Sequence, residues 1–236
     1  MTAPLTDLGN ANEAEQLAAV TKSPDAIKDI VNPSLAVQLA AVTTKTYEKV
    51  QGNMLDVTGA AIRWIKNPSL AVQTAAIKAN MNGASIKYIK NPSIEVQLAA
   101  VRQNGWAVGW IKNPSEAVQM AAIKQDGHAI SNIKNPSEAV QIAAMQRNGW
   151  AIEFIKNPSE AVQLAAVRWN GYTLTKIKNP TKSAAMTGIL GMIDDPHTPY
   201  HIKDMLNIMH DKHPDWEELE IVSNEFGHKL GTSIWG

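Results

Sequence analysis

Apolar and polar positions along most of this chain follow one short pattern. The nonapeptide IKNPSEAVQ stands at residues 111–119, 133–141 and 155–163, each copy 22 residues after the last. An apolar block such as AVQLAAV follows it, then a polar stretch ending in Asn or Asp, a Gly, and a second apolar stretch such as WAVGWIK or WAIEFIK. Aligned on Asn-Pro, the copies start at Asn32, Asn67, Asn91, Asn113, Asn135, Asn157 and Asn179, with a weaker copy, NANEAEQLAAV, at Asn10. A fixed period of this size predicts a stacked array of repeats.

Each unit predicts two short helices. Asn at position 1 is a good N-cap, and Pro at position 2 suits a first helical turn, where its missing N–H is no loss. Glu at position 4 (Glu116, Glu138, Glu160) completes a variant of the capping box and favours the positive end of the helix dipole. The first helix is expected to stop at Gly105, Gly127, Gly149 or Gly171, placed as a C-terminal cap. The second must end before the next Pro, which disfavours helical geometry one residue earlier. A helix this short cannot bury its apolar stripe alone. Neighbouring copies therefore stack, and Ala-Ala pairs such as Ala121 and Ala122 allow close approach. The predicted fold is all-α: a superhelical α-solenoid of seven to eight two-helix repeats with a helical C-terminal cap.

At these residues the chain resembles an uncharacterised short-repeat family of giant viruses, bacteriophages and bacteria. The pattern I-K-N-P-S-E-x-V-Q-x-A-A-V…N-G-W-A-I carries the resemblance, over residues 10–180. The resemblance implies architecture and a viral origin, not a chemistry. More loosely, the units are similar to HEAT-like and leucine-rich-variant repeats, whose members bind proteins or nucleic acids.

Departures from the pattern set the predicted boundaries: a repeat solenoid over 1–182 and a helical cap over 183–236. The copy at 10–31 has Ala11 for Pro and Pro24 where Gly is expected, which fits a capping repeat. The Asn32 unit is 35 residues long. Its insertion, about 43–58, is expected to lengthen the first helix through TTKTYEKVQ to Gly52 and then form a loop. The Asn67 unit gains two residues near Met81 and Asn82, and the Asn179 unit loses the Gln. Beyond Asp194, prolines bound a predicted helix from Thr198 to Asp211, and Asp215 caps another.

Charge alters this picture more than bulk composition does. The net charge is zero, but residues 1–62 carry net −3, residues 63–178 net +8 and residues 179–236 net −5. There is no cysteine, which fits a reducing cytoplasm. The first residues lack a basic stretch followed by an apolar one, so no secretory signal is expected. The expected location is cytoplasmic, and the host cytoplasm if the viral resemblance holds.

Four residue sets are candidates for function. Gln at position 7 (Gln16 through Gln163) is partly buried and needs partners: it is expected as a structural ladder, or as an amide row reading a partner's backbone. Lys at position 22, including Lys112, Lys134 and Lys156, forms either a solvated edge or a basic rail. Arg102, Arg147 and Arg168 lie at the other end of the first helix. Trp106, Trp110 and Trp150 fall on the second helix, the first two sharing a face at helical spacing, as core or as an aromatic groove. Trp169 stands where other units carry Gln, Lys or Arg, and is expected to be exposed and a binding hot spot. His197 and His201 beside Asp194 and Asp195 have spacing open to a divalent metal, yet surface histidines are expected, with no metal and no cofactor. Nucleotide-binding glycine loops, nucleophile elbows and zinc-deaminase patterns are absent from the sequence. The expectation is a non-enzymatic scaffold binding a protein partner, on the viral resemblance a host protein that it inhibits. Nucleic-acid binding through the basic centre is the alternative, and a metal-dependent enzyme at the His/Asp cluster a remote one.

Overall fold

The structure, a computed structural model, describes residues 8–51, 53–193 and 199–230. The chain divides into two compact units, Met1–Gln125 and Asp126–Gly236, and both are α-solenoids built by one rule. In the first unit the α-helices are α1 (Glu13–Lys22), α2 (Leu35–Thr43), α3 (Leu70–Ala79), α4 (Ile94–Gln103) and α5 (Glu116–Gln125). The unit also holds four 3-10 helices, one after each of α1 to α4: η1 (Pro24–Asp29), η2 (Ala60–Trp64), η3 (Ala84–Tyr88) and η4 (Gly105–Trp110). The second unit holds η5 (Gly127–Asn132), α6 (Glu138–Arg147), η6 (Gly149–Phe154), α7 (Glu160–Trp169), η7 (Gly171–Lys176) and α8 (Lys182–Ile193). It ends with α9 (Pro199–Lys212) and α10 (Glu217–Leu230). In each unit successive α-helices of the repeats form one layer and successive 3-10 helices a second, and each of α2 to α8 also touches the 3-10 helix before it. Helices α9 and α10 pack on α8 and on each other.

The second element of each repeat is thus a 3-10 helix of five or six residues, not an α-helix. Too few residues separate the Gly from the extended Ile before the next Asn-Pro to build more than tight turns. The first helix starts two residues later than the Asn-Pro motif suggests. Asn32, Asn67, Asn91, Asn113 and Asn135 have φ of 50 to 52°, in the left-handed region. The cap is Ser: the hydroxyls of Ser34, Ser69, Ser93, Ser137 and Ser159 accept from the amide three residues on. Glu at position 4 therefore completes no capping box. Instead Glu138 accepts a hydrogen bond from Ser159 of the next repeat, and Glu13 one from Ser34. A true capping box is present where the motif is weakest: Asn12 and Glu15 exchange bonds of 3.0 Å each.

Nor does the Gly of the regular repeats end the α-helix in a left-handed cap. The C-cap is the preceding extended residue (Asn104, Asn148, Asn170), whose side chain also caps the 3-10 helix. The Gly is required for space. A Cβ on Gly59, Gly83, Gly127, Gly149 or Gly171 would lie within 3.0 Å of the carbonyl oxygen at position 10 of the next repeat (Ala76, Ala100, Ala144, Ala166 or Gly188). The two layers meet closely there.

Positions 6, 10 and 11 of the α-helix and 17 and 18 of the 3-10 helix make the core. Val140, Ala144, Met145, Ala151 and Ile152 are all at most 1% exposed. In the regular repeats only the second Ala of the pair is in this core: Ala122 is buried and Ala121 half-buried. Gln at position 7 closes the turn of its own repeat. Its amide donates to the position-2 carbonyl in all seven copies, at 2.9 to 3.1 Å.

The insertion corrects the sequence reading. Helix α2 stops at Thr43, and strands β1 (Tyr47–Val50) and β2 (Asn53–Asp56) form an antiparallel hairpin with Tyr47 opposite Asp56. The β-branched and aromatic residues of TTKTYEKV favour strand over helix. Thr44 bonds back to Ala40 and Gln51 takes φ 48° at the turn.

Candidate partner-binding site

The sequence candidates fall at three kinds of place in the repeat. In the second unit Trp169 and Arg168 end α7 and Arg147 ends α6, at the carboxyl-terminal end of the α-helical layer; in the first unit Arg102 stands at the same end of α4. Trp106 and Trp110 lie on η4 and Trp150 on η6, in the 3-10 layer. Lys112, Lys134 and Lys156 are exposed at the loops that lead into each Asn-Pro turn.

The α-helical layer carries a groove in the second unit. Its floor is Ala161 and Ala165 of α7, its sides Ile142 of α6 and Leu164 of α7, and its rim Gln146, Arg168 and Trp169; it encloses about 580 Å³. It arises from the repeat itself. The core uses positions 6, 10 and 11, so positions 5, 8, 9 and 12 face away from it, and three of these four are apolar. Trp169 is 42% exposed, but its ring is seated. A Cβ on Gly149 would stand 2.8 Å from Trp169 Cε3, so the indole lies against the bare backbone of η6. The Cε3 edge of the ring is seated there, while the residue as a whole stays 42% exposed. Arg147 and Arg168 are exposed and, among the described residues, neither is in an ion pair. In the last turn of their helices they also favour the negative end of the dipole. Ile142, Leu164 and Gln146 were not singled out in the sequence. Their signal was the apolar position 8 flanked by alanines at 5 and 9.

The 3-10 layer differs from expectation. At three residues per turn, residues four apart do not line up, so Trp106 and Trp110 do not share a face. Each is nonetheless 44% exposed. Trp150 is half-buried, and Phe154 meets His128 edge-on at 5.9 Å between centroids. In the first unit Arg63, which pairs with Asp25 at 3.0 Å, lies 5.3 Å from the ring centroids of both Trp64 and Tyr88. Lys87 lies 4.8 Å from that of Tyr88.

At the loop edge, Lys156, Lys176 and Lys178 line a polar recess of about 350 Å³ with Glu153 and Gln163. Lys176 pairs with Glu153 at 3.4 Å. The Gln163 amide reaches the carbonyl of Asn179, and its oxygen accepts from the Thr181 amide at 2.8 Å. The amide row thus serves the turns of the stack.

His197, Asp194 and Asp195, and the side chains of His201 and Asp204, lie outside the described residues. Among the described residues no group of three or more His, Asp or Glu is arranged to hold a metal ion, and no helix is long and apolar enough to cross a membrane. Comparisons with known protein families, with curated proteins and with solved structures find no match to this chain.

Proposed function

We propose that this chain is a non-enzymatic scaffold that binds a protein, and that the partner seats an apolar side chain in the α6–α7 groove against Trp169. The single observation carrying this reading is the indole ring held on Gly149 at the rim of an open apolar groove. A large aromatic residue, ordered before binding and half exposed, loses little side-chain freedom when a partner covers it. Such residues dominate protein interfaces. The guanidinium of Arg168 at the rim of the groove favours a carboxylate flanking that apolar residue. On the resemblance to repeats of giant viruses and bacteriophages, the partner is a host protein, bound and inhibited.

A random peptide display selected on the full-length chain tests this. Selected peptides are expected to pair an apolar anchor with Asp or Glu. Trp169→Ala should weaken their binding by about 2 kcal/mol or more, roughly thirtyfold, with the circular dichroism spectrum unchanged. Peptides that bind Trp169→Ala and Leu164→Ala variants as well as the parent would refute the site.

A further inference from the structure

The 3-10 layer of the first unit offers a different surface with a different chemistry. Between residues 60 and 112 the chain carries seven Lys and Arg against one acid, Glu95. Among the described residues, only Arg63 of these seven cations is in an ion pair. The aromatic rings of η2, η3 and η4 sit among these cations. Trp64 is 47% exposed, and Trp106 and Trp110 44% each. Two residues beyond each of Trp64, Tyr88 and Trp110 stands an exposed lysine: Lys66, Lys90 and Lys112. Because η2 touches η3 and η3 touches η4, these ring-and-cation pairs follow one another along the layer. Arg63 joins two of them, lying over Trp64 of its own repeat and Tyr88 of the next at 5.3 Å each.

A ligand that suits this strip must present flat π faces and regularly spaced negative charge in the same chain. An acidic polypeptide supplies the charge without the rings. A nucleic-acid duplex supplies the charge with its bases stacked on each other and out of reach. Single strands supply both, and proteins that hold them without reading sequence combine a basic track with stacking aromatics. We propose that the 3-10 face of residues 60–112 is a binding site for single-stranded nucleic acid, in which Trp64, Tyr88 and Trp110 stack bases and Lys66, Lys90 and Lys112 contact phosphates. The site shares no residue with the α6–α7 groove, so the two readings stand or fall separately.

The test is fluorescence anisotropy of labelled oligothymidylate, oligouridylate and a duplex of matching length with the full-length chain, at about 50 and 200 mM salt. Single strands are expected to bind more tightly than the duplex, with tryptophan fluorescence quenched and affinity falling with salt. Each of Trp64→Ala, Tyr88→Ala and Trp110→Ala should weaken binding roughly tenfold, while Trp169→Ala should leave it unchanged. Replacing Lys66, Lys90 and Lys112 together by Gln should flatten the salt dependence, and circular dichroism confirms that each variant is folded. No binding at the lower salt, a duplex bound as tightly as single strands, or affinity indifferent to all three rings overturns the proposal. Displacement by polyglutamate as effective as by unlabelled single strands also overturns it, and assigns the strip to acidic polypeptides.

Discussion

Asn91 stands at φ 52° directly before a proline, a conformation that costs most residues about 1–2 kcal/mol and that Asn and Gly adopt most readily. Its role is to reverse the chain between layers, not to cap the helix. Asn91→Ala is therefore expected to lower stability by about 1 kcal/mol and Asn91→Gly to leave it nearly unchanged. Urea unfolding followed by tryptophan fluorescence reads both, and equal losses would contradict the backbone explanation. Glycines separate in the same way. Gly149→Ala puts a methyl group 2.8 Å from Trp169 Cε3 and 2.9 Å from the Ala166 carbonyl, and should cost about 1–3 kcal/mol. Gly191→Ala, in helix α8 with nothing within 4 Å, should instead stabilise by about 0.5–1 kcal/mol. The period and the two-layer core were legible in the sequence, because they rest on apolar spacing alone. Local roles were not. Asn, Ser and Gly each serve several kinds of turn, and only the packed neighbour decides which: Ala166 above Gly149, for example, demands the missing side chain.

At the scale of the element, position within the repeat decides whether an apolar side chain serves the fold or the surface. Val162, Ala166 and Val167 are buried in α7, while Leu164 on the same helix is only half-buried. Leu164→Ala is expected to cost less than about 1 kcal/mol in stability, against about 2–5 kcal/mol for the fully buried Ile152→Ala. Thermal melts of the two variants check this, and a large loss for Leu164→Ala would place the side chain in the core. The groove could not be read from the sequence because alanines at positions 5 and 9 look like core residues in a linear pattern. It takes the phase of the helix, fixed by which positions meet the 3-10 layer, to turn them outward. The hairpin was missed for a related reason. TTKTYEKVQ follows an α-helix without a break, and its alternation of β-branched and charged residues outweighs that continuity. Tyr47, Met54 and Leu55 consequently lie exposed on a two-stranded ribbon.

At the scale of the molecule, each repeat contacts only its neighbours, so stability is close to a sum of repeat and interface contributions. A cavity should then act locally. Ile77→Ala in α3, where Ile77 is fully buried, is expected to lower amide protection in α2, α3 and α4 more than in α1. Hydrogen exchange of the full-length chain resolves this, and uniform loss across the first unit would indicate all-or-none cooperativity instead. The same additivity leaves room for function. Surface position 13 is Ala79 in α3, Gln103 in α4, Arg147 in α6 and Trp169 in α7, all over the same core pattern, which is how one repeat acquires a tryptophan at a groove.

The bond from each position-7 glutamine to the position-2 carbonyl lies wholly inside one repeat, in all seven copies. A stretch of 22 codons therefore encodes a turn together with its own clasp. Unequal recombination between copies can add or remove such a stretch without orphaning an amide at either junction. The identical nonapeptides at 111–119, 133–141 and 155–163 are the expected trace of that process. The length of the array is, on this architecture, a quantity that a lineage can change in a single genetic event.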